Sequence, residues 1–215
     1  MARASREEAE RTGRRILEQA RAAFAKEGYA DVRLEEVAAA AGVTRGAVYH
    51  RYRSKQALFA DVLASVMGEV AAAVVKAAEQ VAPGSGAWAP IKAGCLAFVA
   101  AATAPGVRRI LVVDGPAVVG WEAWRELDAQ HSRRMLAEGL GELAAEGLLR
   151  GDPESATILL SGALNEGALW VAAHPDPDRA LDALDDTLDS LLQGLGRNVG
   201  GQPGSAQGRS RHPDH

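Results

Sequence analysis

Seventeen residues constrain this chain more than any others: Leu34-Glu-Glu-Val-Ala-Ala-Ala-Ala-Gly-Val-Thr-Arg-Gly-Ala-Val-Tyr-His50. Leu34, Val37, Ala38 and Ala41 recur at helical spacing, which predicts a short helix with one apolar face. Gly42 follows as a residue free to take positive φ, so it closes that helix and turns the chain. Val43 plugs the turn into the core, and Thr44 is a candidate N-cap for a second short helix. That pattern ends at Ser54, another candidate cap. With the stripe Ile16, Leu17, Ala20, Ala23 and Phe24 upstream and Leu58 downstream, the stretch reads as three short helices and the start of a fourth. The second and third form a helix-turn-helix.

The helix from Thr44 to about Tyr52 buries little by itself, so its outer face carries the argument. With Val48 inward, the outward arc holds Gly46, Ala47, Tyr49, His50 and Arg53, flanked by Arg45. Small residues permit close approach of the backbone. Tyr, His and Arg offer hydrogen bonds to phosphates and base edges. Lys55 falls in the first turn of the next helix, where a cation opposes the helix dipole; a phosphate beside it would remove the conflict. Together these features point to duplex DNA.

The segment resembles the DNA-binding domain of the tetracycline-repressor (TetR) family of bacterial transcription regulators. The resemblance is carried by Ile16-Leu-Glu-Gln-Ala20, Phe24-Ala-Lys-Glu-Gly-Tyr29, Val37 through His50, and Tyr52-Arg-Ser-Lys-Gln-Ala-Leu-Phe59. It agrees with DNA contacts from Thr44, Arg45, Gly46, Ala47, Tyr49, His50 and Lys55. Where the family usually has a hydroxyl pair before the second helix, this chain has Val32 and Arg33. Asp31 is then the candidate cap and Arg33 the candidate phosphate contact.

Charge is distributed accordingly. Residues 1–55 hold 12 Lys or Arg against 8 Asp or Glu, a net +4, whereas the other 160 hold 12 against 20, a net −8. Only the basic quarter suits a polyanion. Arg3 and Arg6 are read as an N-terminal arm on DNA, while Arg11 and Arg14 are read as i,i+4 partners of Glu7 and Glu10. The 215-residue chain is rich in Ala and Leu and poor in aromatics, which favours an all-α fold. No apolar run is expected to reach membrane-span length, because Gly, Pro or charge interrupts each one. With no secretory signal pattern and Cys95 as the single cysteine, a cytoplasmic protein is expected.

Residues 1–54 are expected to form the DNA-binding domain with its basic arm, 55–196 a helical effector-binding and dimerisation domain, and 197–215 a disordered tail. The first helix is expected from about Glu7 to Lys26 and the fourth from Ser54 to about Val81. A helix holding Ile91 to Val99 follows, then a short piece from Val107 to Asp114. One long helical segment is expected from about Ala117 to Glu146, and two final helices at Pro153–Ala173 and Pro177–Leu195. The second half resembles the same family's effector domain, whose helices hold a small-molecule pocket and whose last two pair with their copies.

Catalysis finds no support. His50, His131, His174, His212 and His215 lie far apart, Cys95 has no partner at ligand spacing, and Gly194-Leu-Gly196 lacks the dinucleotide pattern. No metal and no cofactor are implied. Asp114, Glu122 and Asp128 read as helix caps and solvated faces. All four tryptophans lie after residue 87. Trp88, Cys95, Phe98, Ile110, Asp114, Trp121, Trp124, Met135, Asn165 and Trp170 are the candidate pocket residues. Ile158, Leu164, Leu181, Leu184, Leu188 and Leu191 are the candidate dimer interface, aided by the small Gly162, Ala163 and Gly167. The expected function is a dimeric repressor on a near-palindromic operator, released by a small-molecule effector. The alternative is a ligand- or protein-binding helical module with an activator or vestigial DNA-binding role.

Overall fold

A computed structural model of the chain describes residues 2–197, with side chains from Glu7 onward. The side chains of the expected Arg3 and Arg6 arm, and the expected 197–215 tail beyond Arg197, lie outside the described residues; the Arg197 N–H donates to the Leu148 carbonyl at 2.8 Å. Ten α-helices appear among these residues: α1 Ala2–Glu27, α2 Leu34–Ala40, α3 Arg45–Arg51, α4 Lys55–Glu79, α5 Ala89–Thr103, α6 Gly115–Val119, α7 Trp121–Ala129, α8 Ser132–Ala145, α9 Pro153–Ala173 and α10 Pro177–Leu195. A π-helical turn, Arg109–Asp114, runs into α6. The described residues contain no strand, only an isolated bridge between Leu149 and Gly196.

The turn between α2 and α3 forms as its residues dictate. Gly42 sits at φ 64°. Its N–H donates to the Ala39 carbonyl and the Val43 N–H to the Ala38 carbonyl, each at 3.0 Å, closing α2 with a Schellman motif. Ile16, Ala20 and Phe24 of α1, Val37 and Ala38 of α2, Val48 of α3, and Leu58 and Phe59 of α4 bury one continuous core. Phe24, Tyr29 and Phe59 meet with ring centroids 5.1–6.0 Å apart, a favourable aromatic cluster.

Helix α4 carries that core onward. Its Val66, Met67, Val70 and Val74 are buried beyond the head, and its main partner is α5. Lys92 of α5 then reaches α10, with Nζ 2.6 Å from Asp185 and 2.7 Å from Asp189. These contacts hold the lysine pKa above its ordinary value, the Asp185 bond contributing most.

Two expectations fail here. The single helix expected from Ala117 to Glu146 is broken twice. Gly120, at φ 87° and ψ 150°, separates α6 from α7. Around His131, at φ −123° and ψ −116°, the chain turns again before α8; the His131 Nδ1–H donates to the Leu127 carbonyl at 2.8 Å. In addition, α4 and α9 are long and apolar enough to cross a membrane by length and composition, with mean hydropathies of 1.9 and 1.3. Gly68-Glu69 and Asn165-Glu166-Gly167 interrupt them too briefly to lower that average. In α4 the apolar side chains are spent on the protein core.

Candidate nucleic-acid interface and effector cavity

Thr44 caps α3, its Oγ1 accepting the Ala47 N–H at 3.2 Å. Val48, fully buried, pins the helix to the head. Arg45, Gly46, Tyr49, His50 and Arg53 are exposed and Ala47 half-buried, so the expected arc faces outward. Arg45 is pre-positioned within it: its Nε lies 3.0 Å from Glu35 of α2, and its guanidinium stands 5.2 Å from the Tyr49 ring centre. Arg33, exposed, occupies the N-cap of α2 and makes no side-chain cap bond. Asp31 therefore does not take the capping role expected of it. Glu35 and Glu36 in the first turn complement the positive end of the α2 dipole instead.

Lys55 does not take the phosphate contact expected of it. Its Nζ donates to the carbonyls of Tyr29 at 2.6 Å, Ala30 at 3.0 Å and Val32 at 2.9 Å, and it lies 4.5 Å from the Tyr29 ring centre. All three ammonium hydrogens are thereby used inside the fold. The dipole conflict is answered by the carbonyls that follow α1, not by phosphate. Arg15 plays a similar part at Ala41, whose carbonyl it caps.

In the second half a cavity of about 410 Å³ opens between α4, α5, α8 and α9. Its walls are mostly apolar, including Val74, Ile91, Phe98, Leu136, Leu143 and Leu164. Of the expected pocket residues, Cys95, Phe98 and Met135 line it. The others do not. Trp88 borders a separate groove beside Lys92 and Gly196. Ile110 is wholly buried, while Trp121 and Trp170 are exposed. Trp124 is buried with its indole N–H donating to the Leu111 carbonyl at 2.9 Å. Asn165 has a buried Oδ1 with no hydrogen-bond partner among the described residues. Of the four tryptophans, none lines this cavity.

Asp128 was expected on a solvated face, yet it lines the cavity and is only 6% exposed. Burial pushes its carboxyl above the usual carboxylate range, against the opposing pull of Arg133, His131, the Ser161 hydroxyl and Arg125. Its position at i+4 from Trp124, on the inner face of α7, was the available sequence signal. Cys95, in the same wall, has its thiol pushed up to about 12 by burial.

Asp114 was expected in the pocket or as a solvated cap. Its Oδ2 instead accepts the Tyr29 N–H at 2.9 Å. Arg109 donates to the Lys26 carbonyl at 2.8 Å, and Gln56 to the Val118 carbonyl at 2.8 Å. The π-helical turn is thus tied to the end of α1, and through the Trp124–Leu111 bond to α7, the helix that carries Asp128.

On the far side, Ile158, Leu159, Leu169 and Trp170 of α9 and Leu191 of α10 are exposed, with Gly162 and Ala163 open between them. Leu164 and Leu188 are buried inside the protomer, at 7% and 4% exposure, which removes both from the expected interface. Leu181 and Leu184 are half-buried against the chain's own core. Gly167 serves the packing of α9 on α10, since a Cβ there would collide with Leu184.

Comparison with known proteins agrees with this layout. Residues 16–62 match the bacterial regulatory proteins of the tetR family, and residues 88–195 match the tetracyclin repressor-like C-terminal domain. The transcriptional regulator AcrR of Shigella flexneri is 42% identical over 62 residues, 29% of each chain. The regulator SrpR of Pseudomonas putida is 45% identical over 65 residues, 30% of each. The match therefore spans less than a third of these curated relatives. A TetR-family regulator from Pectobacterium atrosepticum superposes with a TM-score of 0.70 at 29% identity, over 89% of this chain and 97% of that one.

Proposed function

This chain belongs to the TetR family of bacterial regulatory proteins, and from that premise we propose that it is a dimeric, ligand-responsive transcriptional repressor acting in the cytoplasm. The observation that carries the reading is the bond network joining two sites. An exposed, anchored α3 face lies at one end, an apolar cavity at the other, and the Asp114–Tyr29 and Trp124–Leu111 bonds lie between them. Residues 1–54 form the DNA-reading head, 55–196 the effector and dimer unit. Arg45 reads a base edge, Tyr49 and Arg33 hold phosphates, Gly46 and Ala47 admit the backbone to the major groove, and Thr44 and His50 complete the contact face.

Two heads related by a two-fold axis meet half-sites about one helical turn apart, which makes the operator near-palindromic. The second chain packs on the exposed apolar stripe of α9 and on Leu191. Effector in the cavity favours a conformation whose heads no longer match the groove spacing. A near-complete switch requires a preference of about 5 kcal/mol for that conformation. A mobility-shift assay with genomic fragments at controlled salt tests the reading. The expected result is a discrete complex on a few fragments that competitor DNA does not remove. Equal, salt-sensitive retention of all fragments would overturn it.

A further inference from the structure

We propose that the cavity takes an apolar organic cation. This deepens the reading of the cavity as the effector site and rests on it. The sign of the charge around this apolar space selects the ligand. Five carboxylates line the cavity: Asp128 in its wall, and the exposed Glu79, Glu138, Glu142 and Glu146 at its rim. Arg133 is the one cationic group in the lining, and its charge already acts on Asp128. Glu138 has a partner, Arg134 at 3.7 Å. Glu79, Glu142 and Glu146 have no ion pair among the described residues.

Two features make the arrangement more than a solvated face. Glu138 and Glu142 of α8 and Glu146 at its C-cap stand at i, i+4 and i+8, where like charges repel; a cation at the mouth relieves that repulsion. Low-dielectric walls also focus the field of same-sign charges into the cleft. An anion would enter against that field and find Arg133 engaged. A neutral molecule would gain nothing from the four rim carboxylates or from Asp128, whose only cationic neighbour in the lining is Arg133. A cation with an apolar body satisfies the carboxylates and fills the space bounded by Val74, Ile91, Phe98 and Leu136.

The test uses probes matched in shape and differing in charge. Tetraphenylphosphonium is compared with tetraphenylborate, and decyltrimethylammonium with decanoate and decan-1-ol. Each is titrated calorimetrically into the full chain below its aggregation limit, then added to the DNA complex. The expected result is at least tenfold tighter binding of each cation than of its matched anion or alcohol, with release of DNA. Asp128→Asn should weaken cation binding at least tenfold and leave decan-1-ol within twofold. Should Asp128→Asn fail to fold, the surface pair Glu142→Gln and Glu146→Gln provides the test, with several-fold weaker cation binding expected and the alcohol unaffected. Equal or tighter binding of anion or alcohol, or cation binding indifferent to the variants, overturns the cation assignment and leaves the effector cavity standing. If no probe binds at all, the effector reading of the cavity fails with it.

Discussion

A lysine in the first turn of a helix works against the local dipole, and Lys55 answers that by giving every ammonium hydrogen to the carbonyls of Tyr29, Ala30 and Val32. It staples the loop after α1 to the start of α4. Lys55→Met should therefore lower stability, by about 1–3 kcal/mol for charge-assisted bonds lost, as read by denaturant unfolding. The salt dependence of DNA binding should not change; a slope smaller by about 0.9 would make Lys55 a phosphate contact after all. Arg45 is the contrasting case. Its pair with Glu35 is exposed on both sides and worth at most about 1 kcal/mol, so DNA can recruit the guanidinium at low cost. Arg45→Ala should relax preference at one base pair per half-site by about 1–3 kcal/mol in a binding-site selection, with folding unaffected; uniform weakening over all sequences would make it a phosphate contact. Asp128 is a residue whose placement costs the fold. Burial raises its pKa, so the folded chain holds the proton more tightly than the unfolded chain, where the value is about 3.9. The group's contribution is fully present below about pH 3.9 and is lost as pH rises through the folded value. Asp128→Asn should thus melt higher than the parent at pH 7.5, with the gap closing toward pH 4. A parent that melts higher at pH 7.5 would mean that Arg133, His131 and Arg125 outweigh burial.

Among the elements, those legible in the sequence are those whose signals are local. The turn at Gly42, the caps Thr44 and Ser54, and the Asp152-Pro153 and Asp176-Pro177 starts of α9 and α10 each rest on residues within one helical turn. The stretch from Arg109 to Ala145 resisted reading because its breaks are set by tertiary partners. Gly120 was a visible breaker, but the turn at His131 contains neither Gly nor Pro, and the widened turn at Arg109–Asp114 depends on bonds to Lys26 and Tyr29, more than 80 residues away in sequence. For the same reason the tryptophans do not mark the cavity: Trp121 and Trp170 are exposed, and Trp124 is buried against Leu111. Of the expected residues Cys95, Phe98 and Met135 line the cavity, and Asp128 joins them against the ordinary solvation of a carboxylate. π-Helical turns are rare and recur at functional sites, and this one touches both the head and α7. Asp114→Ala removes the acceptor of the Tyr29 N–H. Operator affinity of the ligand-free protein should change little, whereas the ratio of affinities without and with effector should fall by the equivalent of about 0.5–2 kcal/mol. An unchanged ratio would mean that coupling passes through α4 alone.

At the scale of the whole molecule, the question is what covers the apolar stripe of α9. Ile158, Leu159, Leu169 and Trp170 are exposed along one face of α9, and Leu191 of α10 is exposed as well. An exposed apolar stripe of this kind is expected to be an interaction surface. A two-fold axis lets one patch cover its own copy, and an obligate interface of this type buries on the order of 2,000 Å² or more. Two substitutions separate this from ordinary core packing. Leu159 is 73% exposed in the protomer, so Leu159→Asp should leave the protomer folded, place an unpaired charge in the interface and yield monomers in sedimentation. DNA affinity should then fall by orders of magnitude, although no DNA-facing residue has changed, because one head on one half-site keeps only half the contacts. Leu188 is 4% exposed, so Leu188→Asp buries that charge inside the protomer and should lower the melting temperature whether or not a dimer exists. If Leu159→Asp sediments as a dimer and still binds operator, the two-fold contact lies on another face of the molecule.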